Sequence, residues 1–173
     1  MKTISAVAAL AIVGLVACDP VVGPEVSPNF SANGGNRVVQ SATGSGHFRQ
    51  GDGNLRTFTA SAVKHADGSV SGQAQINNRT LGVKAHISID CLLIVGNVAV
   101  LSGVVTTSSD ASRVGIGVFF AMEDNGEGNN APADRITQAF PAPPTIPDLC
   151  IVVGVPHAGF FGPIEKGNIQ VRG

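Results

Sequence analysis

Ser69-Val70-Ser71-Gly72-Gln73-Ala74-Gln75-Ile76 decides the fold. Val70, Gly72, Ala74 and Ile76 fall on one side of an extended chain, and Ser69, Ser71, Gln73 and Gln75 on the other. A two-residue period of this kind predicts an antiparallel strand with one face in a core and one in water. Just upstream, His65-Ala66-Asp67-Gly68 holds an Asp-Gly pair, the residues of a tight hairpin. The strand leading into that hairpin alternates too, with Phe58, Ala60 and Ala62 against Thr57, Thr59 and Ser61. Asn77-Asn78-Arg79 turns the chain again, and Leu81, Val83, Ala85, Ile87 and Ile89 then alternate with Gly82, Lys84, His86, Ser88 and Asp90.

The pattern continues downstream. Cys91 to Val95 is apolar without a break, and Gly96-Asn97 is a turn. Val98 to Thr107 is apolar on both faces, as a strand is when it is central or covered on both sides. After Ser108-Ser109-Asp110, the residues Val114, Ile116, Val118, Phe120 and Met122 share a face, with Gly115 and Gly117 opposite. Ile136 to Phe140 is expected to return as a strand, with a short helix over Ala133 to Ala139 as the alternative. The four prolines between Pro141 and Pro147 predict irregular chain. A short strand near Cys150 to Val155 and a last one over Asn168 to Arg172 complete the reading. About seven to nine strands in consecutive hairpins make an all-β, antiparallel meander. Such a sheet manages its edges by closing into a small barrel or a strongly curled sheet, and a β-sandwich is the alternative. The inward residues Ala60, Ala62, Gly72 and Ala74 are small, which fits either a tightly packed interior or one with a cavity.

The N-terminus has a different character. Lys2 gives a short positive start, and Ile4 to Val16 is almost wholly apolar. That run is about a dozen residues, short of the roughly 20 that a membrane-crossing helix needs, and it fits the apolar region of a secretory signal. It ends in Leu15-Val16-Ala17-Cys18, which resembles the lipobox of bacterial lipoproteins at all four positions. The resemblance implies that Cys18 is diacylated, cut free from Ala17 and made the mature N-terminus. It also implies a place on the cell membrane or outer membrane, lipid-anchored and facing the periplasm or the exterior. The alternative is an ordinary signal peptide with an incidental cysteine. Asp19 resembles the signal that keeps lipoproteins in the inner membrane of some double-membrane bacteria. Two or three acyl chains hold a protein stably where one holds it only reversibly.

The chain therefore divides into a signal peptide (1–17), the lipidated cysteine with a Pro/Gly-rich tether (18–36), and a single all-β domain (37–173). The tether holds Pro20, Pro24 and Pro28 and ends in Asn33-Gly34-Gly35-Asn36. Removing 17 of the 173 residues leaves 156, one domain's worth. The formal charge is −1, and the basic residues are scattered singly, so nucleic acid is not the expected partner. Of the three cysteines the lipobox takes one. Cys91 and Cys150 are then a pair in an oxidising compartment, where disulfides persist. Buried free thiols or a two-ligand metal site are the alternatives, though no CxxC or HxH motif completes a metal site.

A second resemblance covers most of Gly44 to Arg172. It rests on Ala66-Asp67-Gly68-Ser69-Val70-Ser71-Gly72-Gln73, on Cys91 followed by Gly96-Asn97-Val98-Ala99, on Glu123-Asp124-Asn125-Gly126-Glu127-Gly128, and on Lys166-Gly167-Asn168-Ile169-Gln170-Val171. These segments look like a poorly characterised group of small secreted bacterial β domains. The resemblance supports the fold class and the disulfide and brings no activity with it. Pro141 to Pro163 has no counterpart there.

Several residues are candidates for function. Glu123, Asp124, Asn125 and Glu127, with Asp134 beyond them, offer oxygen ligands on a glycine-rich loop of the kind Ca²⁺ takes. Their spacing fails the EF-hand pattern, and a solvated hairpin loop is the plain alternative. Gly68-Ser69-Val70-Ser71-Gly72 has the letters of a nucleophile elbow but lies in a hairpin strand. The histidines (His47, His65, His86 and His157) have no partner that spacing can assign, and no catalytic residue is named. Gly44-Ser45-Gly46 and Gly51-Asp52-Gly53 lack the lysine and following helix of a phosphate loop. Saccharide binding loses ground because neither Trp nor Tyr is present to stack on sugar rings. In Gly159-Phe160-Phe161-Gly162-Pro163, the adjacent Phe160 and Phe161 cannot both face one core, so one of them is a candidate interaction residue. The expected function is that of a non-enzymatic β domain, a binding or structural module. A lipocalin-like carrier of an apolar small molecule and a hydrolase with an unrecognised site are the alternatives. The membrane is the expected partner through the anchor, with a protein or small apolar ligand as a further one.

Overall fold

The Ser69–Ile76 alternation lies in strand β3 (Val70–Asn78), paired with β2 (Leu55–His65) across a turn that Gly68 closes by donating its N–H to the His65 carbonyl at 2.9 Å. The computed structural model describes residues 37–128 and 130–173. The signal peptide, Cys18 and the tether lie outside the described residues, and what is described belongs to one unit. Around the β2–β3 hairpin the chain runs through β1 (Val38–Arg49), β4 (Val83–Val95), β5 (Val98–Ser108), β6 (Gly117–Glu123), β7 (Arg135–Ile136), β8 (Phe140–Ala142), helix α1 (Leu149–Val153) and β9 (Gly162–Arg172).

Among the described residues these strands form one antiparallel sheet. Strands β1 to β6 pair in sequence order, as the meander reading expects. The sheet then closes on itself. β9 returns beside β1, from Ser41 opposite Arg172 to Phe48 opposite Ile164, and β7 bridges β6 to β9. β8 lies along the same edge of β6 as β7, further up the strand. One sheet closed in a ring is present, in place of the two packed sheets of a sandwich.

The interior is filled from unequal sides. Ala42, Ala60, Ala62 and Ala74 point inward from β1 to β3, and Phe48, Phe58, Phe120, Met122, Ile136 and Ile169 fill the space they leave. Phe48 and Phe58 meet edge to face at 5.8 Å. Small residues in β1 are what admit this packing: a Cβ at Gly46 would stand 2.6 Å from the Lys166 carbonyl oxygen and 3.1 Å from the Phe58 ring. One at Gly44 would meet Ile169 at 2.9 Å.

A second apolar cluster sits on the outside of the ring, made of Cys91, Val100, Ala121, Cys150 and Phe161. It explains why β5 is apolar on both faces: Ala99 and Leu101 face inward, and Val100 and Ser102 are buried under α1. Cys91 and Cys150 are joined by a disulfide with Cα atoms 5.8 Å apart. By the two-residue period Cys91 would follow Ile87 and Ile89 into the ring. A β-bulge between Ile89 and Cys91 adds Asp90 as an extra residue and turns Cys91 outward, so that Leu92 takes the inward place.

Four local expectations are corrected. The segment after Cys150 is helix α1, although Ile151-Val152-Val153 are strand formers. Both edges of β4 and β5 are already paired, which leaves no strand for the segment to join, and the disulfide holds it against the outer cluster. Ile136 to Phe140 is split between β7 and β8, where the buried Thr137 binds Ala121 of β6 in both directions: its N–H donates to the Ala121 carbonyl, and its Oγ1 accepts from the Ala121 N–H, each at 2.9 Å. Pro141 lies within β8, on an edge strand where its missing N–H costs nothing. The last strand starts at Gly162 and not at Asn168.

Candidate functional site at the mouth of the ring

At the end of the ring where the β3–β4 turn lies, a recess of about 290 Å³ opens between inward residues. Its walls are Ile76 from β3, Val83, Ala85 and Ile87 from β4, Val105 from β5 and Val118 from β6. The lip is formed by Leu81 in the β3–β4 turn, Ile116 before β6 and Pro141 in β8. Leu81 is 64% exposed, an apolar side chain standing free in a turn. Strand β1 begins at Val38, opposite His65, at the end of the ring remote from the mouth.

The rim carries two arginines, each already engaged. Arg56 Nη1 and Nη2 donate to the two carboxylate oxygens of Asp52 at 2.8 and 2.5 Å. Arg113 Nε donates to Asp110 Oδ2 at 3.0 Å. The Arg56 guanidinium and the Asn54 N–H hold the Asp52 carboxyl well below the usual carboxylate range. The Ser112 hydroxyl, helped by Arg113, lowers the Asp110 carboxyl from its ordinary value. Among the described residues no buried side-chain nitrogen or oxygen lacks a hydrogen-bond partner. The recess thus has apolar walls, with the side chains of Asn78 and Gln138 beside the two arginines in its lining, an arrangement that suits a largely apolar ligand.

The acidic loop lies at the opposite end, and its carboxylates are turned to the backbone. Asp134, 5% exposed, accepts the Asn125 N–H at 2.8 Å on Oδ1 and the Ile169 N–H at 2.7 Å on Oδ2. Asp124 accepts Gly126 N–H and Val171 N–H, both at 2.9 Å. Glu127 accepts from the side-chain amides of Asn168 and Gln170, and Glu123 pairs with Arg135 at 3.2 Å. Asn125 donates its side-chain amide to the Ala133 carbonyl at 2.9 Å. The loop is thus a clasp on β9, and among the described residues no group of three or more His, Cys, Asp or Glu is placed to hold a metal ion.

The two phenylalanines divide their roles. Phe161 packs into the outer cluster beside the disulfide, with the Arg135 guanidinium 5.5 Å above its ring. Phe160 is 55% exposed and meets Phe140 edge to face at 5.5 Å, which in turn stacks on Phe119 at 5.2 Å. Ile151 and Val152 of α1 also stand exposed. His157 Nδ1 accepts the Gly159 N–H at 3.2 Å, and His47 and His86 lie on the outer sheet face. Asp90, beside the disulfide, has its carboxyl pushed up by partial burial and secondarily by the like charge of Asp148.

Sequence reasoning does not find the mouth. Its one local sign is Leu81, a large apolar residue inside a turn. No helix among the described residues is long and apolar enough to cross a membrane. Comparison with family models, with curated proteins and with solved structures found no match.

Proposed function

We propose that this chain is a cell-envelope lipoprotein, anchored through Cys18 and facing the periplasm or exterior, whose β domain is a non-enzymatic module that binds a small apolar molecule. The recess of about 290 Å³ carries the reading. It has aliphatic walls, a neutralised rim and a position at the end of the ring remote from Val38. Ring mouths of this kind are common sites for apolar ligands, and the volume sits at the lower end of the range for such pockets, which favours a compact molecule or the end of a chain. Leu15-Val16-Ala17-Cys18 supports the anchor.

The test uses the mature chain with Cys18→Ser, secreted in soluble form and examined by native mass spectrometry and with an environment-sensitive apolar dye. A co-purified small molecule, or dye binding that Val83→Phe abolishes while leaving the unfolding midpoint within a few degrees, supports the reading. A chain that binds no dye and carries no adduct returns the domain to a structural spacer. Labelling with a radioactive or alkynyl fatty acid, lost in Cys18→Ser, tests the anchor separately.

A second reading has its own observation. Phe160 stands exposed with its ring edge to face against Phe140, and an exposed aromatic side chain of that kind supports a protein contact.

A further inference from the structure

The outer face of β1 to β4 is a wall of hydroxyl and amide side chains in register. Ser45, Thr59, Gln75 and His86 stand opposite one another across the four strands. One row away, Thr43, Ser61, Gln73 and Ser88 do the same. The charged residues of this face, Arg49, Lys84 and Asp90, stand further along the strands, outside both rows. Gln75 is half-buried, and the other seven side chains are exposed. Among the described residues none of the eight spends its side chain on a hydrogen bond, although other Thr and Ser residues (Thr80, Ser108, Ser109) do. Two shallow depressions of about 250 and 370 Å³ lie side by side on the wall and share Gln73 and His86.

We propose that this wall binds an uncharged, β-linked glycan chain bearing acetamido groups, laid across the strands. Three features select that occupant. The wall is neutral, so it gains nothing from a nucleic acid, an anionic lipid surface or an acidic peptide. Adjacent strands are about 4.8 Å apart, so each row offers a donor or acceptor at an interval close to the advance of one sugar in a β-1,4-linked chain. The side-chain amides of Gln73 and Gln75 each present a donor and an acceptor together, which an acetamido group answers with its own C=O and N–H. With neither Trp nor Tyr in the chain, no ring stacks on a sugar here. Recognition rests on hydrogen bonds that replace those to water, so one sugar binds weakly and affinity rises steeply with chain length.

The experiment uses the soluble mature chain (Cys18→Ser), with insoluble chitin and N-acetylglucosamine oligomers of two to six sugars as probes. Retention on chitin is expected, with the dissociation constant falling at least tenfold from dimer to hexamer. Amide shifts in the NMR spectrum should gather at Thr59, Ser61, Gln73, Gln75 and Ser88. Gln73→Glu with Gln75→Glu, two changes on the outer face, should abolish retention without altering the spectrum of the interior. Ser112→Glu, on the loop at the mouth, should leave retention unchanged. No retention on chitin overturns the proposal, as do shifts that gather at the mouth or an equal loss in Ser112→Glu.

Discussion

Asp134 Oδ2 accepts the backbone N–H of Ile169 at 2.7 Å, standing where the carbonyl of a neighbouring strand would otherwise stand. The substitution has a geometric cause. β7 is two residues long and pairs with β9 only at Pro163 and Gly162, after which the Asp134 carbonyl takes the Ile164 N–H at 2.8 Å. Beyond that point, among the described residues, no strand pairs with the edge of β9 that faces β6. Asp134 and, further on, Asp124 supply the missing acceptors. Closure of the ring at this seam is therefore made partly by side chains.

Asp134→Ala is expected to lower stability by about 1–3 kcal/mol, the cost of leaving buried donors without a partner. Urea unfolding measures it. Hydrogen exchange should show the loss concentrated at the amides of Asn125 and Ile169, with the β2–β3 hairpin still protected. Uniform loss of protection across the ring would remove the seam from this account.

Removing the disulfide with Cys91→Ala and Cys150→Ala is expected to cost up to about 4 kcal/mol, from the 59-residue loop it closes. The bond lies outside the ring, so α1 and Phe161 should loosen first while the interior cluster persists. Near-ultraviolet circular dichroism and limited proteolysis after Leu149 would report this order.

Gly46→Val is expected to destabilise the ring by about 1–3 kcal/mol or more, because the added side chain meets a backbone carbonyl and the Phe58 ring together. Gly51→Ala, in the open β1–β2 turn with no atom within 4 Å of its Cβ position, is the control and should be near neutral in thermal unfolding.

The strand order was legible where the alternation is unbroken, from Thr57 to Asp90, because one water-facing and one core-facing row leave few other solutions. β1 was harder to see. Gly44 and Gly46 occupy its inward row, and their reason lies on the two neighbouring strands, in Ile169 of β9 and Phe58 of β2. The pairing of Cys91 with Cys150 was readable from their number and expected compartment. That Cys91 faces outward was not, since a one-residue bulge reverses its side. Helix α1 defeats local propensity because β4 and β5 were already fully paired. The acidic residues were found, but their partners are the N–H groups of β9, more than 30 positions away in sequence for Asp134 and Ile169. The mouth was the least legible feature, since it arises from what several strands fail to fill at one end.

Two carboxyls should titrate stability in opposite directions. Burial pushes the Asp90 carboxyl up, so its ionised form disfavours the fold at neutral pH, and that penalty disappears as acid protonates it in both states. Asp90→Asn should therefore raise the melting temperature at pH 7 and have no effect well below the ordinary Asp range. Arg56 holds the Asp52 carboxyl down, so its contribution is present above the ordinary Asp range and is lost as pH falls through its lowered folded value. Asp52→Asn should lower the melting temperature slightly at pH 7, with the deficit shrinking in strong acid. Thermal scans of both variants between pH 2 and 8 check the pair, and a shift of the same sign in both would contradict it.

The antiparallel pairing of β1 with β9 places Ser41 beside Arg172. The first and last strands among the described residues are thus neighbours in space, and their cyclic order has no privileged start. A permuted gene that reads from the β3–β4 turn, with a short linker joining Arg172 to Val38, would describe the same circle of strands from a different origin. It would also place both new ends at the lip of the mouth, the end of the ring remote from Val38.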